Sequence, residues 1–261
     1  MKWVALVEID DQTFWHPPFS GTQPTNRHAL GDMVRQAADG GALVIALDFQ
    51  LKSPSDTPGD DPVRAEQNQY LLESIREVSQ HGVRVVLTQG LVRSQELVRP
   101  EEQWKEEPNI FDRRLLPDGV ALGYINLPVD KREIPLCKNA TAWDASETIA
   151  CDWFALQIVD QYEQTIHIEP RTRSEGAIVS AIRDGVFVCG SFVAEQAFPK
   201  ISAHDLLNDE NAKQRCRGRI VIFGGTWHES GGRGPLIESF ASPVGKIPKG
   251  AAHIGNLQVA A

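Results

Sequence analysis

Close to the N-terminus, the stretch "WVALVEIDDQTF" (residues 3–14) runs an apolar segment, Val4 to Val7, directly into Glu8, Asp10, Asp11 and Thr13. Carboxylates delivered by the end of a buried strand are common raw material for ligand binding and acid–base chemistry in α/β proteins. A phosphotransferase that attacks with aspartate needs Asp-x-Asp-x-Thr: the first carboxylate attacks, and the second, two residues on, moves the proton. Here Gln12 stands two positions after Asp10, and the residue two positions before it is Glu8, longer by one methylene. The spacing therefore argues against that enzyme class. A second apolar run, "ALVIALDF" at 42–49, also ends in an acid, Asp48. Asp10 and Asp48 have two readings, as ligand contacts or as caps of the loop or helix that follows.

Other chemistry has thinner support. "FGGTWHESGGRG", 223–234, follows an apolar run and contributes Thr226, but it lacks the Lys-Ser/Thr of a phosphate-binding loop and the GxGxxG spacing. Gly224-Gly225 then serves to turn the chain out of a strand. The seven histidines (16, 28, 81, 167, 204, 228 and 253) include no i, i+4 pair, and no GxSxG marks a serine nucleophile. None of the four cysteines, Cys137, Cys151, Cys189 and Cys216, lies in a CxxC, so zinc is poorly supported. Their even number allows two disulfides, and buried thiols fit equally well. No catalytic residue, metal or cofactor is expected.

The whole chain sets wider bounds. Its 261 residues, 41% hydrophobic, suffice for a substantial core. The formal net charge is −9 and no basic block occurs, which argues against nucleic acid or an anionic membrane surface as partner. No apolar run approaches the roughly 20 residues needed to span a bilayer, and acids interrupt the first run too early for a signal peptide. Strand-like sequence begins at Trp3 without lead-in and "AAHIGNLQVAA" stops inside an apolar pattern. Both ends read as cut from a longer chain, with Met1 supplied for expression.

Elements that would position these residues follow from periodicity. Residues 3–9, 42–49 and 83–88 predict buried strands; 26–38 predicts a helix capped by Thr25 or Asn26 and stopped by Gly40-Gly41; and Asp61-Pro62 opens a helix that Gly82 closes. Strand–helix alternation, with strands apolar on every residue, predicts a largely parallel sheet flanked by helices. Asp10 and Asp48 should then share its C-terminal edge, with Thr226 close by. The middle is irregular: 93–118 reads as a polar surface loop, 119–128 as a strand, and 146–162 as a helix capped by Ser146. A hairpin around Asp184-Gly185 is expected within 177–192, a short helix at Ser202 and a buried strand at 219–227. Asn139-Ala140-Thr141 fits a glycosylation sequon.

Taken in order, several segments form a family pattern: "VALVEIDDQTF", "RHALGDMVRQAADGGALVIALDFQLKSPS", "GVALGYINLPVD", "ISAHDLLN", "CRGRIVIFGGTW" and "SPVGKIPKGAAHIGN". The chain resembles the CHASE2 domain, an extracytoplasmic sensory module of bacterial membrane receptors. It departs from the family's closing segment at Ser242-Pro243, Lys249-Gly250 and Gly255. The resemblance implies a single α/β sensor domain over 1–261, without catalysis of its own, outside the cytoplasmic membrane. It also implies flanking transmembrane helices and a cytoplasmic output such as a histidine kinase, nucleotide cyclase or Ser/Thr kinase. The ligand would be an unidentified small molecule or a state of the envelope, with Asp10, Asp11, Asp48 and Thr226 as candidate contacts. An extracytoplasmic location allows a disulfide, and Cys137–Cys151 is the expected pair. Both termini should face the membrane, with a helix beginning after Pro248. Competing readings are a phosphatase or hydrolase using Asp10 and Asp48, and a structural spacer that dimerises the receptor; a homodimer is compatible with either a sensor or a spacer.

Overall fold

The computed structural model describes residues 3–22, 25–51, 62–93, 104–125, 133–135, 137–143, 147–166, 182–183, 186–188, 198–227, 239–242 and 245–248. In chain order these form β1 (Val4–Ile9), α1 (Asp11–Phe14), α2 (Arg27–Asp39), β2 (Val44–Leu47), α3 (Pro62–Gln80), β3 (Arg84–Gln89), β4 (Leu91–Arg93), β5 (Trp104–Glu106), β6 (Val120–Tyr124), β7 (Glu133–Pro135), β8 (Cys137–Thr141), β9 (Thr148–Asp152) and α4 (Phe154–Thr165). They continue with β10 (Ile182–Arg183), β11 (Val186–Val188), β12 (Lys200–Ser202), α5 (Ala203–Asn208), α6 (Glu210–Gln214), β13 (Ile220–Gly225), β14 (Ser239–Ser242) and β15 (Gly245–Pro248).

The main sheet has the order β12-β1-β13-β2-β3-β6, and every neighbouring pair is parallel. Its strands read as unbroken apolar runs because both faces are covered, and successive side chains split between two cores. Ala5, Val7, Ile9, Ile45, Leu47, Val85, Leu87, Val221 and Phe223 point to the core that also contains Leu30, Met33 and Val34 of α2 and Leu71, Ile75 and Val78 of α3. Val4, Leu6, Val44, Ala46, Val86, Ile220 and Ile222 point to the opposite core, completed by Tyr124, Trp153, Phe154 and Ile158. The capping residues behave as expected. Asn26 accepts from the backbone N–H groups of His28 and Ala29 at 3.0 and 3.2 Å, and the Ser202 hydroxyl accepts from His204 N–H at 3.3 Å.

A second, four-stranded sheet has the order β4-β5-β8-β9, and it overturns two expectations. Residues 93–118 are no mere surface loop, since Trp104–Glu106 is β5 and Arg113–Leu115 is a 3-10 turn. Nor does a helix start near 146. Thr148–Asp152 pairs antiparallel with β8, and the helix begins at Phe154 without a side-chain cap. The burial of 148–152 explains this, because Ile149 and Cys151 turn inward while Thr148 and Ala150 face water, a period of two that suits a strand. Ser146 itself lies outside the described residues. Gly123 lets the two systems approach: a β-carbon there would stand 2.4 Å from the Phe154 α-carbon.

The register of β8 and β9 also corrects the disulfide. Cys137 opposes Asp152, and Lys138 opposes Cys151, so the two sulfurs leave opposite faces of the ribbon. Cys137 is exposed, Cys151 is buried, and both stand as thiols, as does buried Cys216. Cys189 lies outside the described residues. The hairpin near 177–192 is present as antiparallel β10 and β11, with Arg183 opposite Val186, and β11 pairs further with β7. The helix expected after Pro248, and with it the position of the C-terminus, lies outside the described residues. Among the described residues no helix is long and apolar enough to cross a membrane.

Candidate functional site

The parallel sheet brings the predicted acids to one edge. Asp10 follows β1, Thr226 follows β13 and Asp48 follows β2, three consecutive strands of the sheet. The ladder continues through them: Thr226 N–H donates to Ile9 O at 2.9 Å and Asp48 N–H donates to Phe223 O at 3.0 Å. Asp11 stands beside Asp10 in the first turn of α1. β13 separates β1 from β2, so the chain axes that deliver Asp10 and Asp48 are roughly 9.6 Å apart.

On this half of the edge Asp10 is bound to its own neighbourhood. Its Oδ1 accepts from Thr13 N–H at 2.8 Å and from Thr13 Oγ1 at 2.7 Å, the geometry of a helix N-cap. Thr13 is only 2% exposed, and its hydroxyl also lies 3.3 Å from Ser202 Oγ. Phe14 stacks on Trp227 with ring centroids 4.2 Å apart. Glu8 pairs with Lys200 at 3.0 Å.

The other half, beyond β2, is built differently. The turn after β2 folds toward the end of β3, where the Thr88 hydroxyl donates to Phe49 O. The segment after β5 then crosses this turn: Ile110 N–H donates to Leu51 O at 3.1 Å and Glu107 N–H donates to Gly90 O at 2.9 Å. Buried Gln89 donates from Nε2 to Gly90 O and Glu107 O, both at 3.0 Å. Gly90 leaves room for the contact between Gln50 Nε2 and Glu107 Oε2; a β-carbon there would collide with both atoms.

These contacts border an open-sided pocket of about 210 Å³ between the main and second sheets. Glu106, 7% exposed, sits in its wall and accepts from Arg113 Nη2 and Nε at 2.7 and 3.2 Å, and from Trp143 N–H at 3.4 Å. Arg114 holds Asp112 through Nε and Nη2 at 3.0 and 3.2 Å, and these hydrogen bonds pull the Asp112 carboxyl below its ordinary range. Asn109 donates from Nδ2 to Thr88 O at 3.4 Å, while its buried Oδ1 has no hydrogen-bond partner. Trp143 and Glu147 flank the connection between β8 and β9, which Ala142 N–H closes by donating to Glu147 O at 3.0 Å.

None of the cavity residues was singled out by sequence reasoning. The available signal was the pair Ile110-Phe111 inside a charged stretch, followed by Asp112 and the pair Arg113-Arg114. Apolar residues isolated in a charged run imply burial of that run, and burial obliges its charges to pair. Among the described residues, no group of three or more His, Cys, Asp or Glu is placed to hold a metal ion.

The sequence model of the CHASE2 domain matches residues 1–257, nearly the whole chain. No curated protein matches it, and no solved structure does.

Proposed function

The chain belongs to the CHASE2 domain family, whose members are extracytoplasmic sensory domains, and on that premise we propose that it is the non-catalytic input domain of a bacterial membrane receptor. In this reading residues 1–261 form one sensor unit outside the cytoplasmic membrane, between membrane helices, and a cytoplasmic output responds to a small molecule. Ligand contacts lie along the C-terminal edge of the parallel sheet. Asp10, Asp11, Asp48 and Thr226 stand at one stretch of that edge, and the cavity opens at the other.

The family match over residues 1–257 carries this reading. The cavity supports it, because crevices at the carboxyl ends of parallel strands are where open α/β sheets bind ligands. A bound molecule can drive output only to the extent that its affinity differs between two arrangements of the domain. The test uses the intact receptor in membrane vesicles. Output activity should change when periplasmic small-molecule extract is supplied to the face that carries this domain, and should stay constant when it reaches the opposite face only. Output indifferent to the extract on both faces, or responsive only from the cytoplasmic side, overturns the reading.

A further inference from the structure

We infer that the N-terminal edge of the parallel sheet docks on an anionic phospholipid surface through Arg84, Arg217, Arg219 and Trp3. The inference deepens the reading proposed above and rests on it for one premise, that a membrane helix leads into β1.

The strand starts build this edge. Ile220 N–H donates to Trp3 O at 2.8 Å and Leu43 N–H donates to Arg219 O at 2.9 Å, so Trp3, Arg219 and Leu43 lie side by side where β1, β13 and β2 begin. Arg84 opens β3, one strand further, and its guanidinium lies against Gly119, where a β-carbon would stand 3.3 Å from Nη1. Arg217 packs on Gly41, just past the end of α2, and Gly218 N–H donates to Gly41 O at 2.8 Å. Three guanidinium groups thus share the end of the sheet opposite to the one that carries Asp10, Asp11 and Asp48.

The fold itself makes no use of these charges. Arg217 is exposed, Arg84 and Arg219 are half-buried, and among the described residues none of the three pairs with a carboxylate. Elsewhere Arg35, Arg113 and Arg114 are held by Glu77, Glu106 and Asp112. The described acids in the turns that border the free arginines, Asp39 and Asp118, pair with none of them. A net charge of −9 argues against an anionic partner for the chain as a whole. Six residues of β1, however, hold the two edges about 20 Å apart. That is twice the Debye length of about 10 Å in 0.1 M salt, so the far carboxylates are screened from a surface that the arginines touch.

The indole selects lipid over a soluble anion. Trp3 is 59% exposed, and its ring centroid is 6.5 Å from that of Tyr162 in the last turns of α4. A free phosphate offers an exposed indole nothing to bury in, whereas tryptophan and tyrosine settle at the headgroup level of a bilayer. A membrane helix leading into β1 would deliver Trp3 at that level, with the guanidinium groups beside it in reach of lipid phosphates.

The experiment mixes the purified chain with vesicles of phosphatidylcholine containing about 40% phosphatidylglycerol, or of phosphatidylcholine alone, at up to about 10 mM lipid, the concentration scale that a short tether supplies in a receptor. Co-flotation reads binding. At about 0.1 M salt anionic vesicles should bind at least about tenfold more tightly than neutral ones, and about 0.5 M salt should abolish the difference. Arg84→Gln, Arg217→Gln and Arg219→Gln should each cost about fivefold, and the triple variant on the order of a hundredfold. Arg114→Gln, the same charge change at the opposite edge, should cost less than about twofold. Brominated phosphatidylglycerol should quench the tryptophan emission of the bound parent, of Trp15→Phe and of Trp143→Phe, but not that of Trp3→Phe. Equal binding to the two kinds of vesicle, an unchanged affinity in the folded triple variant, or quenching that persists in Trp3→Phe overturns the inference. So does release by inorganic phosphate where sodium chloride of equal ionic strength leaves the chain bound, which would assign the arginines to a free anion. Docking is read without any output: a chain that docks within a receptor whose output ignores small molecules would refute the sensory reading and leave the docking edge standing.

Discussion

The two halves of the sheet's C-terminal edge receive polar residues by the same device and use them in opposite ways. Over β1 and β13, Asp10 is satisfied within three residues of itself, by the backbone and hydroxyl of Thr13. Over β3 and β6, Glu106 is satisfied by Arg113, seven residues on, and by the backbone of Trp143 on another strand connection. Satisfaction by groups from separate elements holds those elements apart and leaves the cavity and the orphaned Asn109 Oδ1 between them.

The largest expected effect falls on the cavity half. Arg113→Met leaves Glu106, 7% exposed, as a buried carboxylate without its ion-pair partner. Breaking a fully buried pair costs about 3–5 kcal/mol. Arg113 is itself 36% exposed, so water reaches the pair, and about 2–3 kcal/mol is expected in urea denaturation. A loss below about 1 kcal/mol would mean that the pair behaves as a surface one and that the halves do not differ in kind.

Next comes alkaline pH, which probes one buried thiol in each core. Burial pushes the thiols of Cys151 and Cys216 up to about 11; nearby Arg113 counters this in part at Cys151, as do Arg219 and Arg215 at Cys216. The unfolded chain releases these protons near 9.0, before the folded one does. Across that window the folded state binds more protons, so stability is complete below about pH 9 and falls as pH rises toward about 11. By pH 10 each thiol should cost about 1 kcal/mol relative to pH 8. Cys151→Ala and Cys216→Ala should each remove roughly half of the thiol-dependent loss. Equal alkaline sensitivity in the parent and the double variant would show that neither thiol is desolvated as described.

What the sequence disclosed follows the same division. The parallel sheet, the caps Asn26 and Ser202 and the shared edge of Asp10, Asp48 and Thr226 were legible because each rests on residues adjacent in the chain, read by periodicity or by a cap three residues away. The second sheet was not legible. β5 is three residues long, and the short segment 148–152 runs into a longer helical pattern that absorbed it. Its pairing with β8 is a non-local choice that overrides local helical propensity. The cavity joins residues from 89 to 147, and no spacing in the sequence signals that convergence.

Asp10→Ala tests the locally satisfied half and should cost about 1–2 kcal/mol, the ordinary loss of an N-cap. The burial of Thr13 places the expectation toward the upper end, with Ser202 Oγ at 3.3 Å as a fallback partner for its hydroxyl. A loss below about 0.3 kcal/mol in urea denaturation would mean that Asp10 does not cap α1 as described and would break the comparison.

The smallest expected effect is at Cys137, and it is informative because a near-zero result discriminates. Cys137 is an exposed thiol opposite Asp152, on the face of the ribbon away from Cys151. Cys137→Ser changes one exposed atom and should shift stability by no more than about 0.5 kcal/mol, under oxidising and reducing conditions alike. A disulfide from Cys137 to Cys151 would behave otherwise. It would close a loop of about 15 residues and contribute about 3 kcal/mol, so the substitution would destabilise the oxidised protein alone. Thiol titration of the denatured, unreduced chain supplies the second measurement: Cys137, Cys151 and Cys216 should all react. A redox-dependent loss at Cys137, or fewer than three reactive thiols, would require the β8–β9 register to slip by one residue. A slip of one residue turns every side chain of β9 to the other face, so Ile149 and Cys151 would leave the core together and the cavity wall would change with them.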